Sequence, residues 1–299
     1  MKIIETENLT KRYGDTVAVD LVSIHVEEGE IYGFLGLNGA GKTTTIRLLL
    51  GLIKPDDGTC SLFGKKPQQA TKIWNDIGYL IETPHAYPDL SVYENLAVIC
   101  KLRGLNDKSL IDNIIDRLKL TQYKNKKEKH LSLGNKQRLG LAKALIHSPK
   151  LLILDEPING LDPAGIVEIR ELLQELSQEH CITIFLSSHI LAEIAKLTSR
   201  IGIIHNGALI KELRPEELEK QLMKKLYINT LDNKSAAATL QKGGFSPLVN
   251  NGTIELLTEN AILHPEDIAT LLVQNQVPPK QLSVYEEDLE HYFLRIINQ

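Results

Sequence analysis

Gly36-Leu37-Asn38-Gly39-Ala40-Gly41-Lys42-Thr43 is the stretch on which the fold turns. An apolar run, Ile31-Tyr32-Gly33-Phe34-Leu35, leads into it, and Thr44 to Leu50 follows with a helical pattern. A GxxxxGK[ST] spacing between a strand and a helix is that of a phosphate-binding loop. Its glycines let the backbone curl so that successive N–H groups face phosphate oxygens, and the helix N-terminus adds its dipole. Lys42 is expected to neutralise the β- and γ-phosphates, and Thr43 to ligate Mg²⁺. Gly36, Leu37, Asn38, Gly39, Ala40, Gly41, Lys42, Thr43 and Thr44 are therefore candidate nucleotide-binding residues.

Such a loop serves several nucleotide-handling classes, so its partners decide between them. Leu151-Leu152-Ile153-Leu154-Asp155-Glu156 reads as a buried strand ending in two adjacent acids. Neighbouring side chains on a strand face opposite ways, so the two cannot share one role. Asp155 is expected to hold Mg²⁺ and Glu156 to polarise the water that attacks the γ-phosphate. Taken alone, two acids at a strand end could be helix caps; the phosphate loop favours the catalytic reading.

Leu131-Ser132-Leu133-Gly134-Asn135-Lys136-Gln137-Arg138, ahead of the Asp-Glu strand, resembles the signature of the ABC ATPase family. It departs from the consensus LSGGQ at Leu133 and Asn135. The resemblance implies that Ser132 and Gly134 contact a γ-phosphate held by another subunit, a role suited to a helix N-terminus. It also implies an adenine-stacking aromatic at Tyr13, a dimer-crossing loop at Gly160-Leu161-Asp162-Pro163, and a γ-phosphate-sensing His189 in Leu186-Ser187-Ser188-His189. A surface tyrosine and an ordinary structural histidine are the alternatives for Tyr13 and His189. Glu82 stands where the family usually has glutamine after Ile77 to Ile81. It is taken as a catalytic and Mg²⁺-ligating candidate, although a carboxylate adds negative charge beside the phosphate and donates no hydrogen bond.

The implied fold is α/β, a RecA-like phosphate-loop core with an antiparallel β layer and a helical insert. Residues 1–212 are read as the ATPase domain, with the insert at about 84–148, where Leu110, Ile111, Ile114, Ile115 and Leu118 share one helical face. Residues 1 to 35 read as antiparallel strands. Residues 213–299 read as a small α+β appendage. Leu218, Leu222 and Leu226 mark a helix, and a strand, helix, strand, strand, helix, strand succession suits a ferredoxin-like unit.

With 299 residues, 42% of them hydrophobic, the chain can bury a large core. Lys and Arg number 34 against 38 Asp and Glu, which gives no reason to expect a nucleic-acid partner. Lys124 to Lys129 is read as a solvated loop, because Glu128 interrupts it and no aromatics interleave. No apolar run approaches the roughly 18 residues of a membrane helix. Cys60, Cys100 and Cys181 are read as reduced, without pairing or metal.

Neither catalytic half is complete in one chain, so the expected assembly is a dimer around two MgATP. Its expected place is the cytoplasmic face of the membrane, held peripherally by permease chains contacting residues 83–96. The signature variant and Glu82 resemble the branch exporting drugs, lantibiotics or bacitracin, implying export of a peptide, antibiotic or other amphipathic compound. An importer motor would share every catalytic motif, and a soluble ATPase outside transport is a third reading.

Overall fold

The computed structural model describes residues 1–69, 71–82, 85–250 and 252–297. These form two compact units, residues 1–215 and 216–299.

The first unit opens with β1 (Lys2–Tyr13), β2 (Thr16–Val22), β3 (His25–Glu27) and β4 (Ile31–Leu35). Then come α1 (Lys42–Leu49), β5 (Asp57–Leu62), β6 (Ile77–Leu80), α2 (Val92–Leu102), α3 (Ser109–Arg117) and α4 (Leu133–Leu145). It closes with β7 (Leu151–Asp155), α5 (Pro163–Gln178), β8 (Thr183–Ser188), α6 (Leu191–Leu197), β9 (Arg200–His205) and β10 (Ala208–Leu213).

Strands β9, β4, β8, β7 and β6 lie side by side, all parallel. Strand β1 pairs antiparallel with β2, β3 and β5. The expectation of antiparallel strands through residue 35 therefore fails at β4, which is the central parallel strand. Every β4 residue is buried, as a parallel strand covered on both faces requires, whereas β1 mixes buried and exposed positions. Tyr32, Phe34 and Phe185 are fully buried. Phe185 lies 5.6 Å from Tyr32 and 5.5 Å from Phe34, centroid to centroid, fixing the β4–β8 register from within the core.

This parallel stack positions the site. The carboxyl ends of β4, β7 and β8 lie next to one another, with Leu35 opposite Ser188 and Asp155 opposite Ser187. Ligands of open α/β sheets gather at that edge. Helix α4 approaches β6 closely enough that a Cβ on Gly78 would fall 2.1 Å from the Ala144 carbonyl oxygen, so only glycine fits. Helix α2 begins with a capping box in which Ser91 and Glu94 satisfy each other's backbone N–H.

The second unit contains α7 (Pro215–Gln221), whose first residue belongs to the unit before it, then β11 (Lys224–Thr230), α8 (Asn233–Lys242), β12 (Leu248–Asn250) and β13 (Thr253–Leu256). It ends with α9 (Glu259–Leu263), α10 (Pro265–Gln274), β14 (Pro279–Glu286) and α11 (Leu289–Ile297). The sheet order is β12-β13-β11-β14, antiparallel throughout. With α8 and α10 as crossovers this is the ferredoxin-like arrangement. Its core joins Leu226, Ile228, Ile254 and Leu256 from the sheet to Ala236, Leu240, Ile268 and Leu272 from the helices. Leu226, expected on a helix with Leu218 and Leu222, instead pairs with Leu256 and Val284 in β11. Leu226, Ile228 and Thr230 are buried in alternation, and that period of two prevails over the four-residue leucine spacing.

Candidate functional site

The turn from β4 to α1 holds two glycines with left-handed backbone, Gly39 (φ 82°) and Gly41 (φ 108°). A Cβ at Gly41 would lie 2.3 Å from the Ala18 carbonyl oxygen, and one at Gly36 would lie 2.6 Å from that of Ile204. The loop is thus held between β2 and β9 in a conformation glycine alone permits. No side chain caps α1, which leaves its first N–H groups available to an anion. A cavity of about 220 Å³ opens there, lined by Ala18, Asn38, Gly39, Gly41, Lys42, Thr43, Thr44 and Glu156.

Lys42 is buried, and its Nζ donates to the carbonyls of Gly36 (2.7 Å) and Leu37 (3.2 Å). It also stands 3.3 Å from Glu156 Oε1. Thr43 donates its hydroxyl to Asp155 Oδ2 at 2.7 Å. The other oxygen of Asp155 accepts from Ser187 Oγ at 2.5 Å. Asp155 is 1% exposed, and no cation pairs with it among the described residues. A buried carboxylate supported only by hydroxyls is a fitting place for a hard divalent ion.

Glu156 leaves the strand with φ 49°, unusual for a residue bearing a side chain. Its two carboxylate oxygens are thereby divided between Lys42 and His189, whose Nδ1 lies 2.9 Å from Oε2. Strand alternation alone would separate Asp155 from Glu156. The left-handed turn adds to this by giving Glu156 its own pair of partners.

Two further residues, given no role in the sequence reading, brace this centre. Ser187 Oγ donates to Asp155 while accepting from the backbone N–H of Glu156 at 3.0 Å. Gln137, buried on α4, donates to the Glu156 carbonyl at 3.1 Å, linking the signature helix to the turn at Glu156. Both lie inside motifs legible in the sequence, but serine and glutamine carry no signal of which distant atom they will meet.

The remaining candidates fall outside this cluster. Ser132 caps α4, accepting from the Asn135 N–H, and remains exposed. Asp162 caps α5 by accepting from the Gly165 N–H at 3.0 Å. The signature and the Gly160–Asp162 loop touch each other: a Cβ on Gly160 would meet the Leu133 side chain at 2.4 Å, and one on Gly134 would meet Leu161 at 3.2 Å. Tyr13 ends β1, half exposed, with Lys11 Nζ 5.6 Å from its ring centroid. Glu82, with φ 54°, pairs with Arg47 of α1 and does not line the phosphate-loop cavity. Thr83 and Pro84, which open the segment expected to meet a permease, lie outside the described residues.

A glycine-built anion loop beside a metal-ready aspartate and a glutamate held between lysine and histidine defines a nucleotide-binding ATPase. Residues 19–159 match the ABC transporter family. The chain is 43% identical to the bacitracin transport ATP-binding protein BcrA of Enterococcus faecalis, over 99% of this chain and 96% of that one. It is 39% identical to the lantibiotic transport ATP-binding protein SrtF of Streptococcus pyogenes, over 70% of this chain and 90% of that one. Among solved structures, the dimeric post-hydrolysis state of an ATP-binding cassette bound to ADP and Pi superposes with a TM-score of 0.66 at 25% identity, covering 71% of this chain and 98% of the cassette. The chain belongs to the ABC transporter family, as an ATP-binding subunit.

Proposed function

We propose that this subunit powers the export of a peptide antibiotic, or a similarly amphipathic compound, through separate permease chains. The observation that carries its motor role is Glu156, held between Lys42 and His189 beside the Thr43–Asp155 pair. The class of cargo rests on likeness to BcrA along the full length of the chain, second unit included, and the direction of transport on the resemblance of the signature variant and Glu82 to exporting subunits.

In this reading the loop N–H groups and Lys42 receive the β- and γ-phosphates, with Lys42 exchanging its carbonyl partners for phosphate oxygens. Thr43 and Asp155 would hold Mg²⁺, which neutralises phosphate charge when bound. Glu156 accepts the proton of the attacking water, and His189 keeps the carboxylate aimed and senses the γ-phosphate. Tyr13 stacks on adenine from the end of β1. Ser132, exposed at the head of α4, and Gly134 beside it complete the site of a second copy, and Asp162 lies near the dimer seam. Glu156→Gln should therefore retain MgATP binding while hydrolysis falls at least about a hundredfold. Size-exclusion chromatography with ATP should then show a trapped dimer; brisk turnover by this variant would remove Glu156 from the proposed role.

The permease contact is proposed for residues 83–96 and the adjoining hollow between β6, α2 and α4. That hollow, about 440 Å³, is bounded by Tyr79, Ile81, His85, Ile99, Leu102 and Arg103 among others. Among the described residues no helix is long and apolar enough to cross a membrane, so the proposed attachment is peripheral, through the permease. Co-purification with a polytopic membrane chain tests the partnership. A partner set that includes an extracytoplasmic solute receptor would indicate import instead.

A further inference from the structure

Besides Asp155 and Glu156, a third acid, Glu82, is held against α1 outside the loop cavity. Lys42, the lysine of the loop cavity, is itself engaged with Glu156, and a triphosphate adds more negative charge. Two observations show how the third acid is accommodated. Its carboxylate is paired with the Arg47 guanidinium. Arg47 lies four residues after Thr43 in α1, on the same helix face and one turn along. Glu82 is thus fastened to a side chain one helical turn from the residue expected to ligate Mg²⁺, and its own backbone is left-handed there (φ 54°).

We propose that Arg47 is a positioning residue for nucleotide binding. It supplies the countercharge for Glu82 and keeps that carboxylate turned away from the γ-phosphate. The inference rests on the reading of the β4–α1 loop as the MgATP site. The pair is 40% and 48% exposed at its two side chains, so it contributes little to folding stability. Its effect belongs to ligand affinity, because Glu82 without its countercharge would repel an incoming triphosphate.

The test is calorimetric titration of the full chain with the Mg²⁺ complex of a non-hydrolysable ATP analogue. Arg47→Met should raise Kd roughly threefold to tenfold, and Arg47→Lys should restore most of the affinity. In a Glu82→Gln background the same Arg47→Met change should alter Kd less than about twofold. The defect of Arg47→Met should shrink in about 0.5 M salt, and its thermal midpoint should match the native chain. An equal loss of affinity in both backgrounds, or an unchanged Kd for Arg47→Met, overturns the proposal. Failure of the native chain to bind the nucleotide would instead overturn the underlying reading of the loop.

Discussion

Gly41 shows how narrowly single positions are specified. Its φ of 108° and the Ala18 carbonyl 2.3 Å from any added Cβ exclude every other residue. Gly41→Ala should therefore weaken nucleotide binding at least about tenfold, measured by the same titration, because the loop must shift away from the phosphates. This glycine was legible from spacing alone, as were Lys42, Thr43, Asp155 and Glu156, since phosphate chemistry ties residue type to local backbone shape. Ser187, Gln137 and Arg47 were not legible in their roles. Each acts through an atom 31, 19 and 35 residues away in the chain, and no local pattern encodes such pairings.

Elements carry the next level of specification. The signature helix α4 is bound to the turn at Glu156 by Gln137 and pressed onto β6 at Gly78. Just beyond its end, His147 lies 3.0 Å from the Ile77 carbonyl through Nε2, while its buried Nδ1 has no hydrogen-bond partner. Burial, and then the charge of Arg103, push this imidazole down from 6.5 to about 4. It is therefore neutral when folded and titrates at higher pH when unfolded. Stability from this group is complete above about pH 6.5 and is lost as pH falls toward about 4. The thermal midpoint should decline across that window, and the decline should be shallower in His147→Gln, measured by circular dichroism. At this scale the sequence reading located the helical insert but misjudged β4 and Leu226. Strand partners are chosen by tertiary packing, and a leucine spaced for a helix can equally occupy an alternating strand.

At the scale of the whole chain, two units have separate hydrophobic cores. Ile228 is fully buried in the second core and far in sequence from every proposed nucleotide residue. Ile228→Ala should destabilise the second unit by about 2–5 kcal/mol. MgATP affinity should remain within about twofold of native, since additivity holds for sites without shared partners. A scanning-calorimetry trace set beside a binding isotherm checks both halves of that statement. The βαββαβ order of the second unit was readable because each strand is short and bounded by turn residues, such as Gly252. Its purpose was not, because it carries no nucleotide motif.

The left-handed backbone of Glu156 has a practical consequence. Glycine or asparagine would occupy φ 49° with less steric cost, by about 1 kcal/mol. A directed-evolution campaign that rewards heat resistance alone would be drawn toward those residues at 156 and, on the role proposed for Glu156, would yield hardier proteins that no longer turn over. One selected for turnover would be held at glutamate and carry the thermal handicap with it, so the two screens should part company at this position.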